Sequence, residues 1–85
     1  MFKIKEPFWG TGGCVANMHF NTPEGWLGIR EEHDGYVVVG VTSKGWQNIE
    51  YFSLRGKNKE GVLEEAKKYT LNIYYEQVKK WLDVV

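Results

Sequence analysis

Hydrophobic and polar positions alternate from Cys14 to Asn21. Cys14, Ala16, Met18 and Phe20 fall on one side, and Val15, Asn17, His19 and Asn21 on the other. Period two is the signature of a strand with one apolar face. Thr22-Pro23-Glu24-Gly25 is turn chemistry, after which a second strand is predicted from Trp26 to Glu32. His33-Asp34-Gly35 carries an Asp-Gly hairpin signal and leads into a third strand, Tyr36 to Thr42, which contains four valines. Ser43-Lys44-Gly45 turns the chain into a fourth strand, Trp46 to Leu54. Phe2 to Lys5 also alternates and reads as a short edge strand, ended by Pro7 and the run Gly10-Thr11-Gly12-Gly13.

From Glu60 the apolar spacing becomes helical, through Val62, Leu63, Ala66, Tyr69, Leu71, Tyr74 or Tyr75, Val78, Trp81 or Leu82, and Val85. One helix of that length would measure about 38 Å, against a diameter of about 30 Å for a compact domain of this size. The apolar phase also slips at Thr70-Leu71-Asn72, where Thr70 or Asn72 suits a cap. The expectation is one broken helix or two helices. The rival is a fifth strand over 69–75, a stretch rich in strand formers. The fold class is therefore α+β: a four-stranded antiparallel β-meander with a C-terminal helix packed on one face, in a single domain spanning 1–85.

Turn positions convert this layout into a register. A four-residue loop at Thr22–Gly25 sets Asn21 opposite Trp26, His19 opposite Gly28 and Asn17 opposite Arg30. Centring the second hairpin on Asp34 sets Trp26 opposite Thr42, Gly28 opposite Gly40 and Arg30 opposite Val38. Centring the third on Lys44 sets Thr42 opposite Trp46, Gly40 opposite Asn48 and Val38 opposite Glu50. A slip of one residue would turn every side chain of a strand over. In this alignment one face is nearly continuous and apolar, with rows Phe20-Leu27-Val41-Gln47, Met18-Ile29-Val39-Ile49 and Ala16-Glu31-Val37-Tyr51, and it receives the helix. On the other face Gly28 and Gly40 form a shallow floor, walled by Trp26 and Trp46 and by Arg30 with Glu50, with His19 and Asn48 at its ends. Rigid aromatics beside hydrogen-bonding groups make a recognition surface. The bland reading gives the tryptophans the task of covering strand glycines, makes Arg30 and Glu50 a plain cross-strand ion pair, and folds Phe8-Trp9 over the floor.

Composition narrows the function classes. Thirteen aromatic rings in 85 residues are more than one small core needs. Eleven basic residues balance eleven acidic ones, which argues against non-specific nucleic-acid binding. The one basic concentration is Arg55-Gly56-Lys57-Asn58-Lys59, in a loop. Cys14 is alone, so no internal disulfide forms. With no membrane span or signal-peptide pattern, the chain reads as cytoplasmic, in the host cytoplasm if phage-encoded.

Candidate chemistry is sparse. Cys14 follows two glycines, but His19 falls on the other strand face and only His33 offers a base, so an inert thiol is the better reading. The Gly10-Thr11-Gly12-Gly13 loop lacks the Lys-Ser/Thr ending of a phosphate cradle. Cys14, His19, His33 and Asp34 lack metal-ligand spacing, and no metal or cofactor is expected. His19, Arg30 and Glu50 supply the base, anion stabiliser and acid of a small ribonuclease by residue type alone. In general style the chain resembles small inhibitor and accessory proteins of phages and mobile elements, a likeness of class that transfers no residue. The leading expectation is a non-enzymatic protein-binding domain whose partner is a larger protein, such as a host defence nuclease complex. It would bind through Trp26, Trp46, His19, Gly28, Gly40, Asn48, Arg30 and Glu50. The alternatives are a nucleotide or nucleic-acid binder, with Trp stacking and the 55–59 loop, and the ribonuclease. Neutral charge and an exposed edge strand also suit a homodimer.

Overall fold

The computed structural model describes residues 7, 9–11 and 16–84, the last four by backbone alone. Five strands, β1 (Gly10–Thr11), β2 (Met18–Thr22), β3 (Gly25–Glu32), β4 (Gly35–Thr42) and β5 (Gly45–Ser53), precede one helix, α1 (Lys59–Val84). The strands form one antiparallel sheet in the order β1-β2-β3-β4-β5. The α+β class holds, with one strand more than expected. That strand falls inside the glycine run that was expected to break regular structure, and pairs Gly10 with His19 and Thr11 with Met18. The strand expected at 2–5 lies outside the described residues.

The helix is unbroken, which corrects both the expected break near residue 70 and the rival fifth strand. Thr70 is fully buried, and its hydroxyl donates to the Ala66 carbonyl at 2.7 Å, so the polar group is satisfied within the helix. The length argument fails on shape. A helix of 26 residues measures about 39 Å, and the molecule is elongated, at 44 × 27 × 22 Å. Asn58 starts the helix, its Oδ1 accepting from the N–H groups of Glu60 (2.8 Å) and Gly61 (3.3 Å). Lys59 then pairs with Glu31, tying the first helical residue to β3 and raising the lysine pKa through the hydrogen bond and charge of that carboxylate.

The main core lies between helix and sheet. Val62 and Ala66 pack on Ile29, Tyr36 and Val38, flanked by Met18, Ile49, Phe52, Leu63 and Ile73. Tyr69 meets Phe52 of β5, and Tyr74 meets Phe20 of β2, at centroid distances of 5.5 and 5.3 Å. Trp9 closes the β2 side, edge-on to Phe20 at 4.6 Å, rather than folding over the opposite face. Leu27, Ile29, Val38 and Val62 are essentially inaccessible, each contributing roughly 1.5–3 kcal/mol by leaving water.

Two hairpin registers decide the other face. β2 and β3 pair as expected, Asn21 with Trp26 and His19 with Gly28. β3 and β4 pair one residue away from expectation: Leu27 with Gly40, Gly28 with Val39, Arg30 with Val37. The cause is a two-residue turn, His33-Asp34, closed by the Glu32–Gly35 pair, where three residues had been expected. Between β4 and β5 the lower half pairs as expected, Val38 with Glu50. A bulge at Ile49 then shifts the upper half, giving Val39 with Asn48 and Val41 with Trp46. Gly45, at φ 88°, supplies the left-handed residue that closes the Ser43-Lys44 turn.

Candidate functional site

The slip turns β4 over relative to β3 and leaves most of the other strands in place. Across the face away from the helix, the rows read Asn21-Trp26-Val41-Trp46, then His19-Gly28-Val39-Asn48, then Arg30-Val37-Tyr51. The two tryptophans are where the sequence reading put them. Their rings meet, with centroids 5.0 Å apart and planes inclined by 54°. His19 stands edge-on to Trp26 at 6.4 Å, and Asn48 is exposed in the row beside Trp46.

The expected glycine floor is absent, for two reasons. Gly40 belongs to the helix-facing side, opposite Leu27, and a Cβ there would come within 2.5 Å of the Trp26 carbonyl oxygen. Gly28 does face away from the helix, but Ala16 covers it: a Cβ on Gly28 would lie 2.8 Å from that of Ala16. The chain bends at Asn17, whose N–H donates to the Ile29 carbonyl (2.9 Å) and whose Oδ1 accepts from the Glu31 N–H (2.7 Å). Ala16 thereby leaves the face of Met18 and Phe20, where alternation had placed it, and joins Val37, Val39 and Trp26 in a second small core. Val39 is fully buried there.

The Arg30–Glu50 wall is also absent. Arg30 Nε donates to Glu32 at 2.7 Å on its own strand. Glu50 sits opposite Val38, on the helix-facing side, with its carboxylate accepting from the Tyr51 N–H at 3.3 Å. His19, Arg30 and Glu50 are thus not one cluster, and the ribonuclease-like set is not assembled. Of the eight expected site residues, the structure brings together Trp26, Trp46, His19 and Asn48, leaves Arg30 beside them in its own ion pair, covers Gly28, and places Gly40 and Glu50 elsewhere.

Tyr51 is the residue the sequence reading missed. Expected on the helix side, it lies on the open face with Trp46. These two are the exposed large hydrophobic side chains among the described residues, at 51% for Trp46 and 45% for Tyr51. The Tyr51 ring covers Gly35, and its hydroxyl donates to the Asp34 carbonyl at 3.1 Å. Hydrogen bonding with the Asp34 side chain, followed by partial desolvation and the charge of that carboxylate, holds the phenol above its usual 10. The signal for Tyr51 was the Asp34-centred turn itself: shortened to two residues, it would have put Tyr51 beside Val37 on the open face.

Comparison with known proteins adds little to this geometry. No protein-family model matches the chain, and no solved structure matches it. A stretch of 41 residues is 46% identical to part of erythritol-mannosyl-transferase 1 of Pseudozyma antarctica (strain T-34). That stretch is 47% of this chain and 7% of the mannosyl-transferase. The chain therefore spans a small fraction of that relative.

Elsewhere the candidate chemistry disperses. Cys14 lies outside the described residues, and His33 is exposed in its turn. Among the described residues no three His, Cys, Asp or Glu side chains gather as a metal group, and no described helix is long and apolar enough to cross a membrane. Arg55, Lys57 and Lys59 lie in the loop and first turn that follow the lower end of β5, whereas Trp26 and Trp46 stand at the opposite end of the sheet. Stacking platform and basic loop do not form one surface.

Proposed function

We propose that this chain is a non-catalytic protein-binding domain that docks on a larger protein through the face of the sheet away from the helix. The observation that carries this reading is the coincidence of Trp46 and Tyr51. The two exposed large hydrophobic side chains among the described residues share one face of one strand, with the Trp26 ring packed against that of Trp46. Exposed aromatics on a firm scaffold bring contact area at low entropic cost, the property of interface anchors. Asn48, exposed beside Trp46, supplies uncharged hydrogen bonding at the rim.

The nucleic-acid reading is the weaker one, because the basic residues that would follow a phosphate backbone are separated from the indoles and Lys59 is already paired with Glu31. Binding to the partner should fall by tenfold or more in Trp46→Ala while the protein stays folded, and should depend only weakly on added salt. A steep loss of binding with salt would favour nucleic acid instead. Partner binding unchanged in Trp46→Ala would remove this face from consideration.

A further inference from the structure

The exposed backbone of β5 and its exposed aromatic side chains belong to the same residues. The Leu54 N–H donates to the Asp34 carbonyl at 2.9 Å, which fixes the phase of the ladder. Glu50 and Phe52 turn their N–H and C=O groups towards β4, and Tyr51 and Ser53 turn theirs outward. The Tyr51 N–H accordingly meets its neighbour's carboxylate instead of β4. Above the bulge the pairs Thr42–Gly45 and Gly40–Gln47 face β4, so Trp46 and Asn48 point their backbone groups outward. β5 is the last strand of the sheet, and nothing among the described residues pairs with this edge. Its nine residues contain no Lys and no Pro, the usual protections of an edge.

We infer that the outer edge of β5 takes up an extended segment of the partner protein as a sixth strand, an inference that rests on the open face being the docking side. Area favours a segment over a folded surface. Ala16 seals the middle of the face over Gly28 and Val39, and the exposed large hydrophobic side chains among the described residues lie in a strip along β5. At roughly 10 Å by 30 Å from strand geometry, that is about 300 Å², well short of the roughly 800 Å² per partner that a stable interface needs. An added strand makes up the difference with backbone hydrogen bonds, while its side chains reach Trp46 and Tyr51.

Charge selects among extended occupants. A second copy could pair with β5 about the bulge, with Asn48 opposite Tyr51 and Trp46 opposite Ser53, each on a shared face. That arrangement sets each Glu50 opposite Ile49 of the other copy, with the two carboxylates diagonal across the two-fold axis, where like charges so close repel. No described cation pairs with Glu50, whose carboxylate lies at the edge against the Tyr51 N–H. The occupant is therefore a foreign segment with a Lys or Arg beside Glu50, displacing that carboxylate from the Tyr51 amide.

The test uses the full chain, immobilised, to select from random 12-residue peptides displayed on phage, followed by synthesis of the enriched peptide. Saturation with it should slow amide hydrogen exchange at Tyr51 and Ser53 by at least about tenfold, the loss of one hydrogen-bonded opening state. Glu50→Lys should weaken its binding by a similar factor. If Trp46→Ala abolishes binding but Tyr51 and Ser53 exchange at their free rates, the edge inference falls and the face reading stands. If neither Trp46→Ala nor exchange at these amides responds, both fall. Failure to enrich any peptide overturns the edge inference, as does a dimer in sedimentation that protects the same two amides without peptide.

Discussion

Ala16 occupies the space that a side chain on Gly28 would need: a Cβ built on Gly28 would come 2.8 Å from the Ala16 Cβ and 2.8 Å from the Met18 carbonyl oxygen. The contact holds Ala16 down on the open face and separates the covered middle of the sheet from the strip along β5. Gly28→Ala should therefore destabilise the fold by about 1–3 kcal/mol, read as a lower urea midpoint at unchanged slope. Ala16→Gly in the same chain should recover part of that loss, since it removes one of the two clashes. A double variant no more stable than Gly28→Ala alone would show that the Met18 backbone contact, not Ala16, sets the cost.

Trp26 and Trp46 touch each other, yet removing each should have different consequences. Trp26 is half-buried against Ala16, Val37 and Val39, so Trp26→Ala opens the second core and should cost about 3–5 kcal/mol, in the range of large aromatic truncations. Trp46 is half exposed at the edge of the sheet, and Trp46→Ala should cost less than about 1 kcal/mol. Thermal melts of the two variants check this. Equal losses would mean that Trp46 is part of the core and not a free contact residue.

Thr70 was expected to mark a break and instead is buried mid-helix with its hydroxyl bonded to the Ala66 carbonyl. Amide exchange should show continuous protection from Lys68 to Ile73. Thr70→Pro, which deletes a helical hydrogen bond and clashes with the preceding turn, should cost about 3 kcal/mol or more and leave a chain of this size largely unfolded. Unprotected amides at 70–72 would restore the broken helix.

Which parts of the fold were legible follows from which strands alternate. In β2 and β3, Met18, Phe20, Leu27 and Ile29 are apolar while His19, Asn21 and Arg30 are polar, so only one register buries the right set, and it was found. β4 carries valine at 37, 38, 39 and 41. With apolar residues on both faces, hydrophobicity is indifferent to a one-residue slip, and the turn length alone decides. Reading three residues into the His33-Asp34 turn inverted the strand and with it Gly40, Tyr51 and Glu50. The bulge at Ile49 left no sequence mark, since Asn48-Ile49-Glu50 reads as ordinary alternation. The aromatic pair survived the error because Trp26 and Trp46 lie on the two strands flanking β4. The slip between β3 and β4 and the bulge between β4 and β5 cancel at Trp46. The helix break was misjudged because a compact sphere was assumed where the helix runs along an elongated molecule.

Gln77 lies in the buried stripe of the helix that begins at Val62, with 7% of its surface exposed, and neither Oε1 nor Nε2 has a hydrogen-bond partner among the described residues. A buried primary amide with nothing to bond forfeits its hydration, at a cost of about 1–3 kcal/mol. Methionine has nearly the same length and volume, carries no such requirement and tolerates irregular space. Gln77→Met should therefore stabilise the domain by about 1 kcal/mol, raising Tm by about 4–8 °C for a chain of this size. Gln77→Ala isolates packing from polarity: it removes the amide but also leaves a void, so it should gain little or lose stability. A melting temperature lowered by Gln77→Met as much as by Gln77→Ala would mean that the amide is bonded in solution, and the position would then be a polar anchor of the helix instead of a flaw in its packing.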